Sequence, residues 1–121
     1  MTTDSTYTLY RKGMELLEDG SFAEAAEPLA EAARRAPEKT SVREALGRAY
    51  FRNRQFSEAA TEFEAVVEAA PVNDYAHFCL GRALTMTGET KRARHHLALA
   101  SNLQPHRTDY RLYRDRARRA A

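Results

Sequence analysis

A fixed period runs through the chain and limits its possible folds more than any other feature. Four positions of the period keep one type of residue over three successive copies, with no insertion between the copies. They are a glycine (Gly13, Gly47, Gly81), an alanine (Ala25, Ala59, Ala93), a large apolar residue (Leu29, Phe63, Leu97) and a proline (Pro37, Pro71, Pro105). A period of about 34 residues indicates supersecondary units that stack and bury their apolar faces against one another.

Each unit has the pattern of two amphipathic helices. In the central unit, apolar or small residues recur at helical spacing from Val42 to Tyr50 and again from Ala59 to Val67. The polar segment Arg52–Gln55 between them is long enough only for a turn. Pro71 ends the second helix, because the residue before a proline avoids the α region. Gly47 marks the point where the two helices are expected to cross closely.

Capping signals mark the expected starts of the helices. Thr6 is expected to cap the first helix of the chain. Ser21 with Glu24, and Ser41 with Glu44, have the spacing of capping boxes, in which each partner satisfies a free backbone N–H group of the other. The sequence therefore predicts helix starts at corresponding places in successive units.

The central unit carries Leu46, Gly47, Tyr50, Ala59, Phe63 and Pro71, and it resembles a tetratricopeptide repeat, whose motif is W-x2-L-G-x2-Y, then A-x3-F, then P. The resemblance covers residues 6 to 105, although the position of the motif's Trp holds Leu9, Arg43 and His77. It implies an all-α fold, a right-handed α-solenoid of three helix-turn-helix repeats with a C-terminal capping helix. We expect one domain over residues 1–121, with repeats at 6–39, 40–73 and 74–107 and the capping helix at 108–121.

The segment after Pro105 has two interpretations. Six arginines and two aspartates lie between Arg107 and Ala121. Because a repeat array needs a final element with a polar outer face, we interpret the segment as a cap that packs through Tyr110, Tyr113 and Ala117. The alternative is a patch for nucleic acid or an acidic membrane, since clustered arginines neutralise phosphates. No basic counterpart lies elsewhere in the sequence, so we expect neither of these partners.

Composition places the chain among ordinary globular proteins. It has 43% hydrophobic residues and a net charge of +2, so its overall charge favours no class of partner. Cys79 is the one cysteine, which excludes an intrachain disulfide and favours a reducing compartment. The first residues lack the pattern of a secretory signal, and no apolar run approaches the roughly 20 residues that span a bilayer. We therefore expect a cytoplasmic protein.

The motifs of common enzymes are missing from the sequence. It has no phosphate-binding glycine loop, no CxxC or HExxH and no nucleophile elbow, so we expect no enzyme, no cofactor and no metal. His95 and His96 are neighbours that point about 100° apart on a helix, so they cannot both face His77, and we favour polar surface residues over a metal site. Cys79 is interpreted as an apolar filler, the alternative being a thiol activated by Arg82.

The resemblance also implies a binding groove on the concave face, which the first helix of each pair lines. Positions 2, 5, 9 and 12 of each unit point into it: Tyr7, Tyr10, Met14 and Leu17, then Ser41, Glu44, Arg48 and Phe51, then Tyr75, Phe78, Arg82 and Thr85. Scattered exposed apolar residues are normal, but five aromatic residues along one concave face favour a binding site.

Some members of the family hold an acidic C-terminal peptide with a clamp of Lys and Asn residues and an Arg. The matching positions here are Tyr10, Met14, Ala45, Tyr75 and Cys79, none of which carries the clamp residue. This disfavours an adaptor for chaperone tails, although Arg48 and Arg82 are each able to bind a carboxylate.

The sequence therefore predicts a non-catalytic scaffold or adaptor that binds a protein. We expect the partner to be a peptide or helix with apolar side chains and at least one acidic group. The alternative is a self-associating structural protein, a homo-oligomer whose groove is filled by a neighbouring copy, for example by its basic helix.

Overall fold

The computed structural model describes residues 4–120, which form seven α-helices and no strand. The helices are α1 (Thr6–Glu18), α2 (Phe22–Arg35), α3 (Thr40–Arg52), α4 (Phe56–Ala69), α5 (Asp74–Met86), α6 (Thr90–Leu103) and α7 (Thr108–Arg119). The odd-numbered helices begin at 6, 40, 74 and 108 and the even-numbered ones at 22, 56 and 90, so the starts follow the period of the sequence. The predicted all-α repeat solenoid is confirmed.

The helices pack around three clusters of buried residues, and Tyr50 contacts the first two of them. Each helix packs against the next one in the chain, while α1 also contacts α3 and α5 contacts α7. The core contains the repeated alanine and the repeated large apolar residue of each unit. The large residues, Leu29, Phe63 and Leu97, are almost completely buried. The apolar columns of the sequence thus supply buried residues to every one of the three clusters.

The repeated glycines allow the two helices of a pair to cross closely. A Cβ atom added to Gly47 would lie 2.9 Å from two carbons of the Phe63 ring, closer than side chains tolerate. Gly13 meets Leu29 and Gly81 meets Leu97 in the same way. The predicted close crossing at Gly47 is confirmed, and it recurs in each pair of helices.

The turns inside the three helix pairs share one geometry. Gly20 and Gly88 have φ angles of 82° and 84°, and Arg54 holds the equivalent place in the central unit with a φ of 63°. In that turn the Gln55 N–H donates to the Tyr50 carbonyl at 2.8 Å, as in a common helix C-terminal motif. The central unit thus places an arginine in the left-handed region that glycine occupies with less strain.

Of the predicted capping residues only Ser21 lies at the N-cap of a helix, and none forms the predicted cap. Ser5, not Thr6, caps α1, since its hydroxyl accepts a hydrogen bond from the Thr8 N–H at 3.1 Å. Ser21 makes no side-chain cap bond, because its backbone (φ −89°, ψ 68°) lies outside the extended region that capping residues adopt. Ser41 lies inside α3, so both predicted capping boxes are wrong.

α7 covers the end of the array, as predicted for a cap. Tyr110 is completely buried, its ring centroid lies 4.6 Å from that of Phe78, and its hydroxyl donates to an Asp74 carboxylate oxygen at 2.8 Å. The Tyr113 ring packs edge-on against the Phe78 ring, with ring centroids 5.2 Å apart. Aromatic packing and one partly buried hydrogen bond therefore fix α7 on the last helix pair.

His77 and His96 form a hydrogen-bonded pair between α5 and α6. Because a carbonyl only accepts, His77 Nε2–H donates to the Pro71 carbonyl at 2.7 Å, and neutral His77 Nδ1 accepts from His96 Nδ1–H at 3.0 Å. His77 is only 5% exposed. The surface interpretation is therefore wrong for His77, because a partner on the neighbouring helix satisfies its buried ring.

The equivalent pair of the central unit is ionic. Arg43 and Glu62 each lie one period before the members of the histidine pair, and Arg43 Nη1 donates to Glu62 Oε1 at 3.0 Å. Arg43 Nε donates to the Pro37 carbonyl at 2.7 Å, as His77 does to the next proline. The first unit has Leu9 and Pro28 at these places, so three kinds of pair occupy one structural position.

Replacing Gly47 with Val should destabilise the protein by about 1 to 3 kcal/mol, because Phe63 cannot leave the added atoms room without moving in the core. The change Ala69→Val at an exposed site of α4 is the matched control and should alter the unfolding free energy by less than about 0.5 kcal/mol. Urea unfolding measures both values. Equal losses in the two variants would contradict the close crossing.

Replacing Arg54 with Gly should stabilise the protein, because it relieves the positive φ of the central turn. Relief of this strain is worth about 1 to 2 kcal/mol, which exceeds the free-energy cost of the conformational entropy that glycine adds to the unfolded chain. We therefore expect the free energy of unfolding to rise by about 0.5 to 1 kcal/mol. Gly20→Arg, the reverse change at the equivalent turn, should lower the melting temperature. An Arg54→Gly protein that melts below wild type would overturn this reading of the turn.

The histidine pair should make stability depend on pH. Burial, together with His77, His95 and Arg92 nearby, lowers the pKa of His96 from 6.5 to about 4. Between pH 6.5 and about 4 the unfolded chain therefore binds more protons than the folded chain. The contribution of neutral His96 to stability is complete above pH 6.5 and is lost as the pH falls towards 4.

The test compares urea unfolding near neutral pH and in the acidic part of that window. The double change His77→Arg with His96→Glu copies the central unit's pair and should reduce the loss of stability on acidification. His106→Gln, at an exposed site, should leave it unchanged. The same loss in wild type and the double variant would assign the pH dependence to other groups.

Candidate functional site

A cavity of about 190 Å³ opens between α3 and α5, beside the end of α1. Its wall combines apolar side chains with three guanidinium groups. It is lined by Leu17, Phe22, Arg48, Phe51, Arg52, Phe63, Tyr75, Cys79 and Arg82. A small apolar cavity with a few charged groups at its rim is a typical ligand-binding arrangement.

Arg82 is held at the cavity by aromatic rings. Its guanidinium carbon lies 4.9 Å from the centroid of the Phe51 ring and 4.8 Å from that of Tyr113 in α7. The centroid of the Phe78 ring lies 5.8 Å from the same guanidinium carbon. These distances are typical of cation–π contacts, which position the charge and leave its N–H groups free to donate to an anion.

Arg48 and Arg52 lie one helical turn apart on α3, and both are exposed. The guanidinium carbon of Arg52 lies 4.5 Å from the centroid of the Phe22 ring. Among residues 4–120, no carboxylate forms an ion pair with Arg48, Arg52 or Arg82. The cavity therefore presents positive charge that the described part of the chain does not neutralise.

Cys79 lies in the wall of the cavity as a protonated thiol. Burial raises its pKa to about 12, far above neutral pH, although Tyr75, Arg82 and Arg48 act in the opposite direction. A thiol in this state is a weak nucleophile. The interpretation of Cys79 as an apolar filler is therefore supported over that of an activated thiol.

Five of the predicted groove residues come together at the cavity: Leu17, which is a core residue, and Arg48, Phe51, Tyr75 and Arg82. Of these, Phe51 is half-buried and packs edge-on against Phe56, with ring centroids 5.1 Å apart, whereas Tyr75 is 37% exposed. The arginines of α3 and α5 thus lie beside aromatic rings on the face that was predicted to be concave.

The other predicted groove residues lie elsewhere or are covered. Tyr7 is 68% exposed at the start of α1, away from the cavity, and Tyr10 and Met14 are half-buried against the core of the first two units. Glu44 accepts a hydrogen bond from the Asn73 side chain at 3.3 Å.

Phe78 requires a correction, because the sequence predicted that its ring faces the groove. It is only 7% exposed, since Tyr110 and Tyr113 of α7 pack on its ring. The aromatic surface predicted for the groove is therefore smaller than expected.

The sequence analysis missed four lining residues, Phe22, Arg52, Phe63 and Cys79, and it missed Tyr113 as a contact of Arg82. Arg52 and Cys79 each follow a predicted groove residue by four positions, which is the helical signal that would have found them. Tyr113 reaches the site only because α7 packs across α5, and no local pattern in the sequence indicates that contact.

Within residues 4–120, no group of three or more His, Cys, Asp or Glu side chains is placed to hold a metal ion. None of the described helices combines the length and the apolar character that crossing a bilayer requires.

Solved structures of low sequence identity share the fold. The first TPR of Spaghetti (RPAP3), solved with the HSP90 peptide SRMEEVD, matches at 18% identity with a TM-score of 0.87, over 93% of this chain and 90% of that one. The Arabidopsis OM64 TPR domain matches at 16% identity with a TM-score of 0.89, over 96% of both chains. A chain of the CopN–Scc3 complex matches at 17% identity with a TM-score of 0.78, over 97% of this chain and 69% of that one.

The search of curated proteins gives no match. The sequence model of the family described as tetratricopeptide repeat matches residues 10–71 and, in an overlapping register, residues 44–105. Together the two matches cover most of the chain and carry the columns of glycine, alanine and proline around which the helices pack. The chain therefore belongs to the tetratricopeptide repeat family.

Proposed function

We propose that this chain is a non-catalytic protein-interaction module, a cytoplasmic scaffold or adaptor that binds one partner segment at the cavity between α3 and α5. The segment is a peptide or a helix with apolar side chains and at least one acidic group. Its apolar side chains contact Phe51 and Tyr75, and its acidic group lies among Arg48, Arg52 and Arg82.

The observation that carries the proposal is the set of three arginines without a carboxylate partner around an apolar cavity. An arginine that stacks on an aromatic ring loses little side-chain freedom when it donates to a carboxylate. The two stacked arginines, Arg52 and Arg82, are therefore preorganised for an acidic group. Arg and Tyr are also enriched among the residues that dominate interface energies.

Relatives of the same fold support a peptide ligand of this kind. The peptide bound to the first TPR of Spaghetti, SRMEEVD, contains apolar and acidic residues. Here the clamp positions hold Tyr10, Met14, Ala45, Tyr75 and Cys79, so the acidic group must be bound at other positions. The arginines on α3 and α5 supply the positive charge instead.

The proposal is tested by reversing charge at the cavity. Partners are selected from a peptide library with residues 1–121 and tested again on the double variant Arg48→Glu with Arg52→Glu. Both side chains are exposed, so the fold should be retained. We expect the selected peptides to combine acidic and apolar residues, and the variant to bind them at least about 30-fold more weakly, which corresponds to a loss of about 2 kcal/mol.

The matched control is Lys39→Glu with Lys91→Glu, which makes the same change of net charge at exposed sites outside the cavity. It should bind the peptides as wild type does, and melting curves of both variants verify folding. Unchanged affinity in the cavity variant, or equal losses in both variants, would assign binding to another surface or to net charge alone.

A further inference from the structure

The two ends of the helical stack carry opposite charge. Between Asp4 and Glu31 the chain has seven acidic residues and two basic ones, whereas between Arg94 and Ala120 it has seven arginines and two aspartates. The near-neutral net charge of the whole chain, +2, conceals this separation. Because α1 and α2 form the first pair of the stack and α7 packs on α6 and α5, the two charged regions face away from each other along its axis.

The acidic end contains a groove along α1 and α2 with an apolar floor. Its volume is about 570 Å³, and its apolar lining residues, which we call its floor, are Leu9, Leu16 and Pro28. It is lined by Leu9, Lys12, Glu15, Leu16, Asp19, Glu24, Glu27, Pro28 and Glu31. Asp19, Glu24 and Glu27 are exposed, and no cation among residues 4–120 forms an ion pair with them. The groove thus combines apolar surface with free negative charge.

The basic end presents the outer face of α7. Leu112, Arg116 and Arg119 are spaced by four and three residues, so they lie on one stripe of the helix, opposite the face that carries Tyr110. Leu112 is 44% exposed, which is unusual for a leucine in so polar a helix. Arg116 and Arg119 form no ion pair with a carboxylate of the described chain. This stripe combines one apolar side chain with free positive charge.

We propose that the acidic groove of one molecule binds the outer face of α7 of a second copy of this chain. Leu112 of one copy packs on the floor formed by Leu9, Leu16 and Pro28 of the other. Arg116 and Arg119 then lie against Glu24 and Glu27. The contact is end to end, so it leaves the cavity between α3 and α5 free for another ligand.

The dimensions of the two surfaces agree. The groove runs along α1 from Leu9 to Asp19, about 15 Å at the rise of an α-helix, and α7 is about 18 Å long. A third helix in the groove between two others packs as the helices of the stack already do. Within one molecule the two surfaces lie at opposite ends, so the groove of each copy has to be filled by α7 of another. Repetition of this heterologous contact gives a chain of molecules or, if the rotation closes, a ring.

The choice of a second copy over a foreign basic helix rests on charge complementarity. Both members of the complementary pair are present in this chain, and each has unneutralised charge and an exposed apolar patch. Contacts between opposite charged surfaces weaken as salt screens them, whereas a contact made only of apolar surface does not. The dependence of association on salt is therefore diagnostic.

Sedimentation velocity of residues 1–121 over a range of concentrations tests the proposal. We expect assemblies larger than a monomer at about 0.02 M salt, and an association constant at least about tenfold lower at about 0.3 M salt. The groove variant Glu24→Lys with Glu27→Lys and the tail variant Arg116→Glu with Arg119→Glu should each be monomeric at low salt. Their equimolar mixture should associate again, because opposite charges then meet at both kinds of junction.

The matched control is Glu58→Lys with Glu68→Lys on α4, which makes the same change of net charge as the groove variant. Glu58 is the repeat equivalent of Glu24, so this control should associate as wild type does. If the charge-reversed tail unfolds α7, the variant Arg116→Gln with Arg119→Gln takes its place. It adds no negative charge at the C-terminal end of α7, and it should also lose association. Far-UV circular dichroism and melting curves report folding in each case.

A wild-type protein that stays monomeric up to about 0.5 mM at low salt would overturn the proposal, since surface contacts of functional strength associate below that concentration. Folded groove and tail variants that associate as wild type does, or whose mixture remains monomeric, would overturn it as well. Association that is lost in the α4 control to the same extent would assign the effect to net charge and not to the two end surfaces.

Discussion

The close crossing of two helices at a glycine is the contact on which the structure depends. Gly13, Gly47 and Gly81 let Leu29, Phe63 and Leu97 lie directly on the backbone of the preceding helix. The same close contact recurs in each pair, so successive pairs stack with the period of the sequence. The period of the sequence thus reflects one packing contact that occurs three times in the structure. α7 ends the series by placing aromatic rings on the last pair.

One position of the repeat shows how different chemistry fits the same frame. Leu9 faces Pro28, Arg43 binds Glu62 and His77 binds His96, each pair one period after the pair before it. The backbone geometry fixes the distance between the two positions, so an apolar, an ionic or a hydrogen-bonded pair is accepted provided each buried polar atom has a partner. In the third unit burial also disfavours a positive charge on His96 by lowering its pKa, which links this pair to pH.

The repeat separates stability from recognition. The residues that hold the stack together are small or apolar and point between the layers, which leaves Arg48, Arg52 and the stripe of α7 free to differ from one unit to the next. Arg82 is held in place by Phe51, Phe78 and Tyr113 and also lines the cavity. Charged side chains without an ion-pair partner in the described chain lie at the cavity and at the two ends of the stack. We propose that these are the places of contact with other molecules.

The sequence by itself determined the period, the class of fold, the order of the helices and the glycine at each crossing, because helical periodicity and close packing are local properties that repetition reinforces. Only the tertiary structure decided which predicted groove residues remain accessible. Phe78 lies under α7, His77 faces His96, and Arg52 joins the cavity, because these contacts depend on how helices distant in sequence lie across one another. Capping was also decided there, since the backbone angles of the tight turns keep Ser21 from reaching a free N–H group.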